Sequence, residues 1–227
     1  MWNHRPPPLH RILTLLAGLL ILKVTLGVVL NYGSYFPANF ESDFLRGREL
    51  YFSGSYQWAF YVHIAAGPLA LFLGMILISE RFRLRFPKWH RRLGRIQVVN
   101  ILFLLVPSGL WMAYRAEAGS VAGLGFATLA AVTGTSVVLG WRTAVQRRFA
   151  EHRRWMCRCF LLLCSTVVLR LIAGLASVTG VQAAWIDPLT AWASWLAPLL
   201  AFELSGAGNR HIGRALTGLF WTPLKRR

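Results

Sequence analysis

The sequence predicts an all-α polytopic membrane protein whose six transmembrane helices form a single bundle. Its 227 residues are 56% hydrophobic and only 15% charged, with a mean hydropathy of +0.48. The apolar runs are continuous and lie near the ~20 residues that a helix needs to cross a bilayer. A soluble domain of this length would show more charge. The strands of a membrane barrel would alternate in hydropathy over segments of about ten residues.

The basic residues predict the orientation. Of the 25 Lys and Arg residues, 20 lie on one side of the predicted membrane, three on the other and two within helices. Because Lys and Arg near helix ends resist translocation, the side with 20 is cytoplasmic and holds both termini. The chain is one domain, 1–227, with helices at about 12–30, 57–79, 96–114, 123–145, 156–178 and 188–204 and a basic interfacial tail at 205–227.

Local features support the first three helices. A signal peptide is the rival interpretation of helix 1, but no small-residue cleavage site follows it. In helix 2, Pro68 cannot donate to the carbonyl four residues back, so the Ile64 carbonyl is freed beside His63. Before helix 3, residues 80–95 hold seven basic residues and are expected to form a hairpin loop.

The last three helices have equally simple signals. Helix 4 is rich in Gly, Ala and Thr, which let helix backbones approach closely, so it is expected inside the bundle. A second basic loop, at 146–155, precedes helix 5. Pro188 begins helix 6, at the position where a missing N–H donor costs least.

Two His-Arg-Arg triplets start 62 residues apart, at positions 90 and 152, and each lies where a basic segment meets an apolar helix. In a repeat related by an axis along the membrane normal, both imidazoles would turn toward that axis. His90 and His152 could then bind one haem iron, with Arg91 and Arg153 holding the propionates. The alternative is an interfacial belt that contacts anionic lipid head groups.

A second polar layer is predicted nearer the outer surface. Lys23, His63 and Arg170 lie ~9–12 Å below the outer ends of three different predicted helices. Cations facing lipid cost several kcal/mol, so these groups are expected to face the interior or a wet cavity. With Ser108 they form a candidate site for a quinone or another small molecule. Snorkelling toward water is the alternative, and we favour it for Lys23.

Other functional classes are excluded or unsupported. The net charge of +17 lies in short loops beside apolar runs, which suits lipid head groups and argues against nucleic acid. No catalytic triad, phosphate-cradling loop or pair of catalytic carboxylates is present, so no catalytic residue is assigned. The three cysteines lack Cys-x-x-Cys spacing and are expected to be packing residues.

The chain resembles a bacterial family of predicted membrane proteins, domain of unknown function 2306. The resemblance rests on three blocks in order, which begin at His63, His90 and His152, and on the downstream Arg170. It implies a location in the bacterial inner membrane and a topology more than an activity. The triplets are more weakly similar to motifs of cytochrome b561-type proteins, which use histidine pairs to hold two haems. Here the repeat partner of His63 is Gly125, which argues against a four-histidine, two-haem plan.

Three functions follow from the sequence. The first is a membrane redox protein with one b-type haem between His90 and His152. The second is a cofactor-free transporter or anion-binding protein that uses Lys23, His63 and Arg170. The third is a structural partner of another membrane complex.

Overall fold

Helices make up every regular element in the described part of the chain. A computed structural model describes residues 8–42, 44–180 and 183–204. A 3₁₀ turn, Asn31–Ser34, follows the first helix, and a π-helical segment, Asn100–Leu105, lies between the fifth and the sixth. The α-helices are α1 (Pro8–Leu30), α2 (Glu49–Phe52), α3 (Ser55–Ile78), α4 (Glu80–Arg85), α5 (Pro87–Val99), α6 (Val106–Tyr114), α7 (Gly119–Val145), α8 (Phe149–Leu163), α9 (Ser165–Thr179) and α10 (Ile186–Phe202).

Five helical stretches within the described residues are long and apolar enough to cross a membrane. They are Leu15–Ser34, Ser55–Ile78, Pro87–Tyr114, Gly119–Val145 and Phe149–Thr179. They correspond to the first five predicted spans. The sixth predicted span corresponds to α10, which has 17 residues and is not among the five. The predicted tail at 205–227 lies outside the described residues.

The basic segments are helical, and the prediction of a loop up to residue 95 is wrong. α4 and α5 meet at the single residue Phe86, and α5 begins at Pro87, nine residues before the predicted start of its span. Proline suits the first helical position because its φ is already helical. Arginine is also a good helix former. The second triplet likewise lies inside α8, which begins at Phe149.

The glycine-rich helix α7 is the centre of the bundle, as predicted. In its most apolar window 39% of the residues are buried, whereas the corresponding window of α1 has none. A Cβ added at Gly123 would lie 2.7 Å from the Ala113 carbonyl oxygen of α6, so only glycine allows these two backbones to approach so closely. The small residues therefore place α7 inside, and α1 lies at the periphery.

The π-helical segment divides the third span into two halves. It is followed by Pro107, which cannot donate a backbone hydrogen bond to the preceding turn. Gln97, just before the segment, and Asn100, its first residue, donate from their amides to the carbonyls of Ala70 and Ala66 on α3, at 2.8 Å and 3.0 Å. These buried bonds fix α5 against α3.

Aromatic side chains close the outer end of the bundle. Leu45, Phe52 and Phe60 are almost fully buried in one cluster, with Tyr35, Phe40 and Phe44 packed around it. The Tyr51 hydroxyl donates to the Glu117 carboxylate at 3.1 Å and ties the outer loop to the turn before α7. Burial, together with this bond, raises the pKa of Tyr51 to about 12. The hydroxyl therefore stays protonated and continues to donate at physiological pH.

Candidate functional site

A cavity of about 380 Å³ opens between the ends of α3, α5, α7 and α8 that the sequence predicts to be the inner ones. Its lining extends from His90 in α5 to Ile101 in the π-helical segment, a rise of ~16 Å. Charged residues line the inner end, and apolar side chains such as Val137 and Leu163 line the deep end. We call it the histidine cavity, because His90 and His152 are part of its lining. Its polar mouth and apolar interior suit an amphipathic ligand.

His90 and His152 both line the histidine cavity. Each is the fourth residue of its helix, and its backbone N–H donates to the carbonyl just before the helix, that of Phe86 or Arg148. The two side chains are close enough to interact electrostatically. The repeat inferred from the sequence thus corresponds to equivalent positions in the fold, and the two histidines face one space.

The tautomer of His152 is set by the backbone of α7. Its Nδ1 lies 2.8 Å from the carbonyl oxygen of Gly140. A carbonyl can only accept, so Nδ1 carries the proton and Nε2 carries the lone pair. Histidines that bind metals commonly donate their other ring nitrogen to a carbonyl in this way. Gly140 also leaves room for the Met156 side chain of α8, which an added Cβ would contact.

His90 and Gln97 carry unsatisfied polar atoms in the same cavity. The Nδ1 of His90 and the Oε1 of Gln97 are buried and have no hydrogen-bond partner among the described residues. An unsatisfied buried polar group costs about 1–3 kcal/mol. A bound ligand or water that supplied a partner would remove this cost.

The mouth of the cavity carries an excess of positive charge. Its lining includes four arginines and one carboxylate: Arg83, Arg91, Arg95, Arg153 and Glu80. Arg83 pairs with Glu80 at 2.9 Å, while the second carboxylate oxygen of Glu80 has no hydrogen-bond partner. Burial raises the pKa of Glu80, and Arg83 and Arg153 oppose that shift. Four arginines against one carboxylate leave this end of the cavity with a net positive charge, which favours an anionic group.

His90 and His152 are the two imidazoles among the described residues of the cavity lining. No group of three or more His, Cys, Asp or Glu side chains converges on one point within the described residues. Cys157 and Cys159 line the cavity wall, and all three cysteines are free, which agrees with a packing role. The arrangement therefore suits a cofactor that brings most of its own metal ligands, and it does not resemble a four-ligand zinc centre.

The outer layer contains a separate contact between His63 and Ser108. The His63 Nδ1 lies 3.2 Å from Ser108 Oγ, and the serine hydroxyl also lies 2.6 Å from the Leu104 carbonyl. Gly109 leaves room for the imidazole, because a Cβ there would lie 3.3 Å from the His63 ring. His63 is thus held against the upper half of the third span.

Tyr32 connects the outer layer to the proline of α3. Its hydroxyl donates to the Ile64 carbonyl at 2.9 Å, which is the carbonyl that Pro68 leaves without a helical donor. Arg170 on α9 is exposed but close enough to Tyr32 to interact with it electrostatically. Lys23 is exposed on α1, nine residues before Tyr32 and so ~13 Å along the helix. The structure thus brings Arg170 toward the helix of His63, and it leaves Lys23 apart.

Several residues at these sites were missed by sequence reasoning. Tyr32 could have been found, because a freed carbonyl inside a membrane requires a donor and a tyrosine at a helix end can supply one. Glu80 could have been suspected as the only acid in its basic segment. Gly140 and Gln97 gave no signal, because their roles depend on how α7 and α5 pack against other helices.

The fold and the two polar layers define a multi-pass helical membrane protein. The family model described as "Predicted membrane protein (DUF2306)" matches residues 60–205, and the chain belongs to this family. The match includes both triplets and the whole lining of the histidine cavity. Neither the curated proteins nor the solved structures contain a match to the chain.

Proposed function

We propose that this protein binds one b-type haem in the histidine cavity and transfers electrons in the membrane. The observation that carries the proposal is the placement of His90 and His152 at equivalent helical positions around one cavity. The Gly140 carbonyl leaves the His152 Nε2 lone pair available to a ligand.

The residue types that line the cavity fit this group. His90 and His152 would hold the iron, and Arg91 and Arg153 would hold the propionates. The apolar deep end suits the hydrocarbon edge of the macrocycle. When bound, haem supplies one-electron chemistry. The Gly140 carbonyl fixes the tautomer of His152.

A visible spectrum tests the proposal. The full chain, expressed with adequate haem supply and purified in detergent, should show the absorption of a six-coordinate b-type haem when oxidised and then reduced. His90→Ala and His152→Ala should each abolish that spectrum. His63→Ala in α3, at a histidine that does not line the cavity, should retain it. Absence of haem from the wild-type protein after reconstitution, or a spectrum that survives both cavity substitutions, would refute the proposal.

A second candidate function is cofactor-free binding of a quinone or a small anion at the outer layer. It is supported by the His63–Ser108 contact and by Arg170, which makes no ion pair with a carboxylate in the described part of the chain. Lys23 would take part only if the bound molecule reached further along α1. A thermal shift with a soluble quinone analogue that Arg170→Gln removes would favour this function. Its absence would leave a structural role as the alternative.

The proposal includes the topology and the location. We infer six spans with both termini in the cytoplasm of a bacterium, where α10 is the sixth span and the protein lies in the inner membrane. The support is the distribution of the basic residues, which favours a cytoplasmic mouth for the histidine cavity.

A further inference from the structure

A second pocket, of about 310 Å³, lies at the corner between α4 and α5. It is distinct from the histidine cavity. Its lining is Arg85, Phe86, Pro87, Lys88, Trp89 and Arg92, which are three cations and three apolar residues without an acid. We call it the corner pocket. It has no part in the proposed haem site.

The three cations of the corner pocket lack carboxylate partners. The ion pairs in the described part of the chain join Arg83 to Glu80, Arg148 to Glu151 and Arg158 to Glu203, and none includes a residue of the pocket. Three uncompensated positive charges around one concavity favour an anion with more than one acceptor oxygen.

Aromatic rings hold the two guanidinium groups in place. The Arg85 guanidinium lies 5.6 Å from the centre of the Phe86 ring, and that of Arg92 lies 5.6 Å from the Trp89 ring. Stacked arginines lose less side-chain freedom when they bind a phosphate. The pocket also lies at the N-terminus of α5, where backbone N–H groups and the helix dipole favour an anion.

The surroundings of the pocket are those of the membrane boundary. It lies at the inner end of the span Pro87–Tyr114. Trp89 is 55% exposed and Phe86 is 44% exposed. Exposed tryptophan beside cations is typical of the level of the lipid head groups. An anion that is attached to hydrocarbon would satisfy both the cations and these rings.

We propose that the corner pocket binds the phosphate head group of an anionic phospholipid from the surrounding bilayer. The phosphate oxygens accept from Arg85, Lys88 and Arg92, and the acyl chains lie against Trp89 and Phe86. The pocket thereby fixes the turn between α4 and α5 at the membrane surface.

Native mass spectrometry of the detergent-solubilised full chain tests this site. Phosphatidylglycerol should be retained in preference to phosphatidylcholine. The variant Arg85→Gln, Lys88→Gln, Arg92→Gln should weaken retention of the tightest-bound phosphatidylglycerol, by about fivefold for each cation removed. The matched control is Arg142→Gln, Arg147→Gln, Arg154→Gln, which removes the same charge from exposed residues on the same side of the bundle. It should retain that lipid as the wild type does.

Two outcomes would overturn the proposal. Equal loss in the pocket variant and in the control would show that the lipid follows the general charge of this side. Displacement of phosphatidylglycerol by millimolar inorganic phosphate would show that the pocket is a site for free phosphate. Neither outcome depends on haem, so this test and the spectral test can fail separately.

Discussion

Tyr32 compensates for a proline in another helix. Pro68 removes the donor that the Ile64 carbonyl would have in a regular helix, and the Tyr32 hydroxyl replaces it. Inside a membrane an unpaired carbonyl has no water to bind, so this bond supports both helices. The packing of peripheral α1 against α3 therefore includes one specific polar contact.

Removal of that hydroxyl should destabilise the protein. Tyr32→Phe is expected to lower the free energy of unfolding by about 1–2 kcal/mol, since it leaves a buried carbonyl unsatisfied. Thermal unfolding in detergent measures the effect. The cost should shrink in a Pro68→Ala background, where residue 68 again has an N–H. Tyr114→Phe, at an exposed tyrosine, is the control and should change little. An equal cost with and without Pro68 would contradict this explanation.

Glu80 should make stability depend on pH. Burial raises the pKa of its carboxyl group in the folded protein, so the charged form is disfavoured there. Ionisation therefore costs stability, and the loss should appear as pH rises from about 4.3 through the raised pKa. Unfolding temperatures between pH 4 and 8 test this. Glu80→Gln keeps an acceptor for Arg83 and should lack that part of the dependence. An identical pH profile in both proteins would exclude Glu80 as its source.

At the level of residues, the sequence predicts only part of the site. The triplet repeat predicted that His90 and His152 would share one environment, and both line one cavity. It could not predict the hydrogen bond from His152 to Gly140, because that bond depends on how closely α8 approaches α7. The common depth predicted for Lys23, His63 and Arg170 stays a prediction. Arg170 is close enough to Tyr32 to interact with it electrostatically, and Lys23 lies ~13 Å from Tyr32 along the helix.

At the level of helices, the length of the apolar runs predicted the first five spans. The basic residues led to wrong predictions of where the third and fifth spans begin. The outer ends of α5–α6 and α8–α9 fall within one residue of the predictions, at Tyr114 and Thr179. These two helices begin seven to nine residues earlier in the sequence than predicted, at Phe149 and Pro87, because hydropathy cannot distinguish a basic helix from a basic loop. The π-helical segment was not predicted, although Pro107 marked its position.

The contact between α6 and α7 yields a prediction with an internal control. Gly123→Ala should lower the free energy of unfolding by about 1–3 kcal/mol, because the new methyl group meets the Ala113 carbonyl and the two backbones must separate. Gly174→Ala in α9 has nothing within 4 Å and should be neutral or slightly stabilising. Unfolding in detergent compares the two variants. A loss at position 174 as large as that at 123 would contradict the packing argument.

At the scale of the whole molecule, the side of the membrane that holds the C-terminus depends on whether α10 crosses the bilayer. Five spans would place the two termini on opposite sides of the membrane, and six would place them on the same side. We expect reporter fusions at Ser42 and Ala184 to be external, and fusions at Lys88 and after Arg227 to be cytoplasmic. An external signal after Arg227 would show that α10 does not cross. An external signal at Lys88 would show that the protein has the opposite orientation in the membrane.

The π-helical segment sets the relative phase of the two halves of the third span. Before the segment Gln97, and at its first residue Asn100, hydrogen-bond to α3, and after it Ser108 contacts His63 of α3. If the segment rewound as a regular helix with all its residues kept, one half would turn by about 100° relative to the other. Both sets of contacts could not then survive together. The π-helical turn therefore acts as a phase adjustment within the third span. It lets the polar side chains of both halves of the span face the same neighbour, α3.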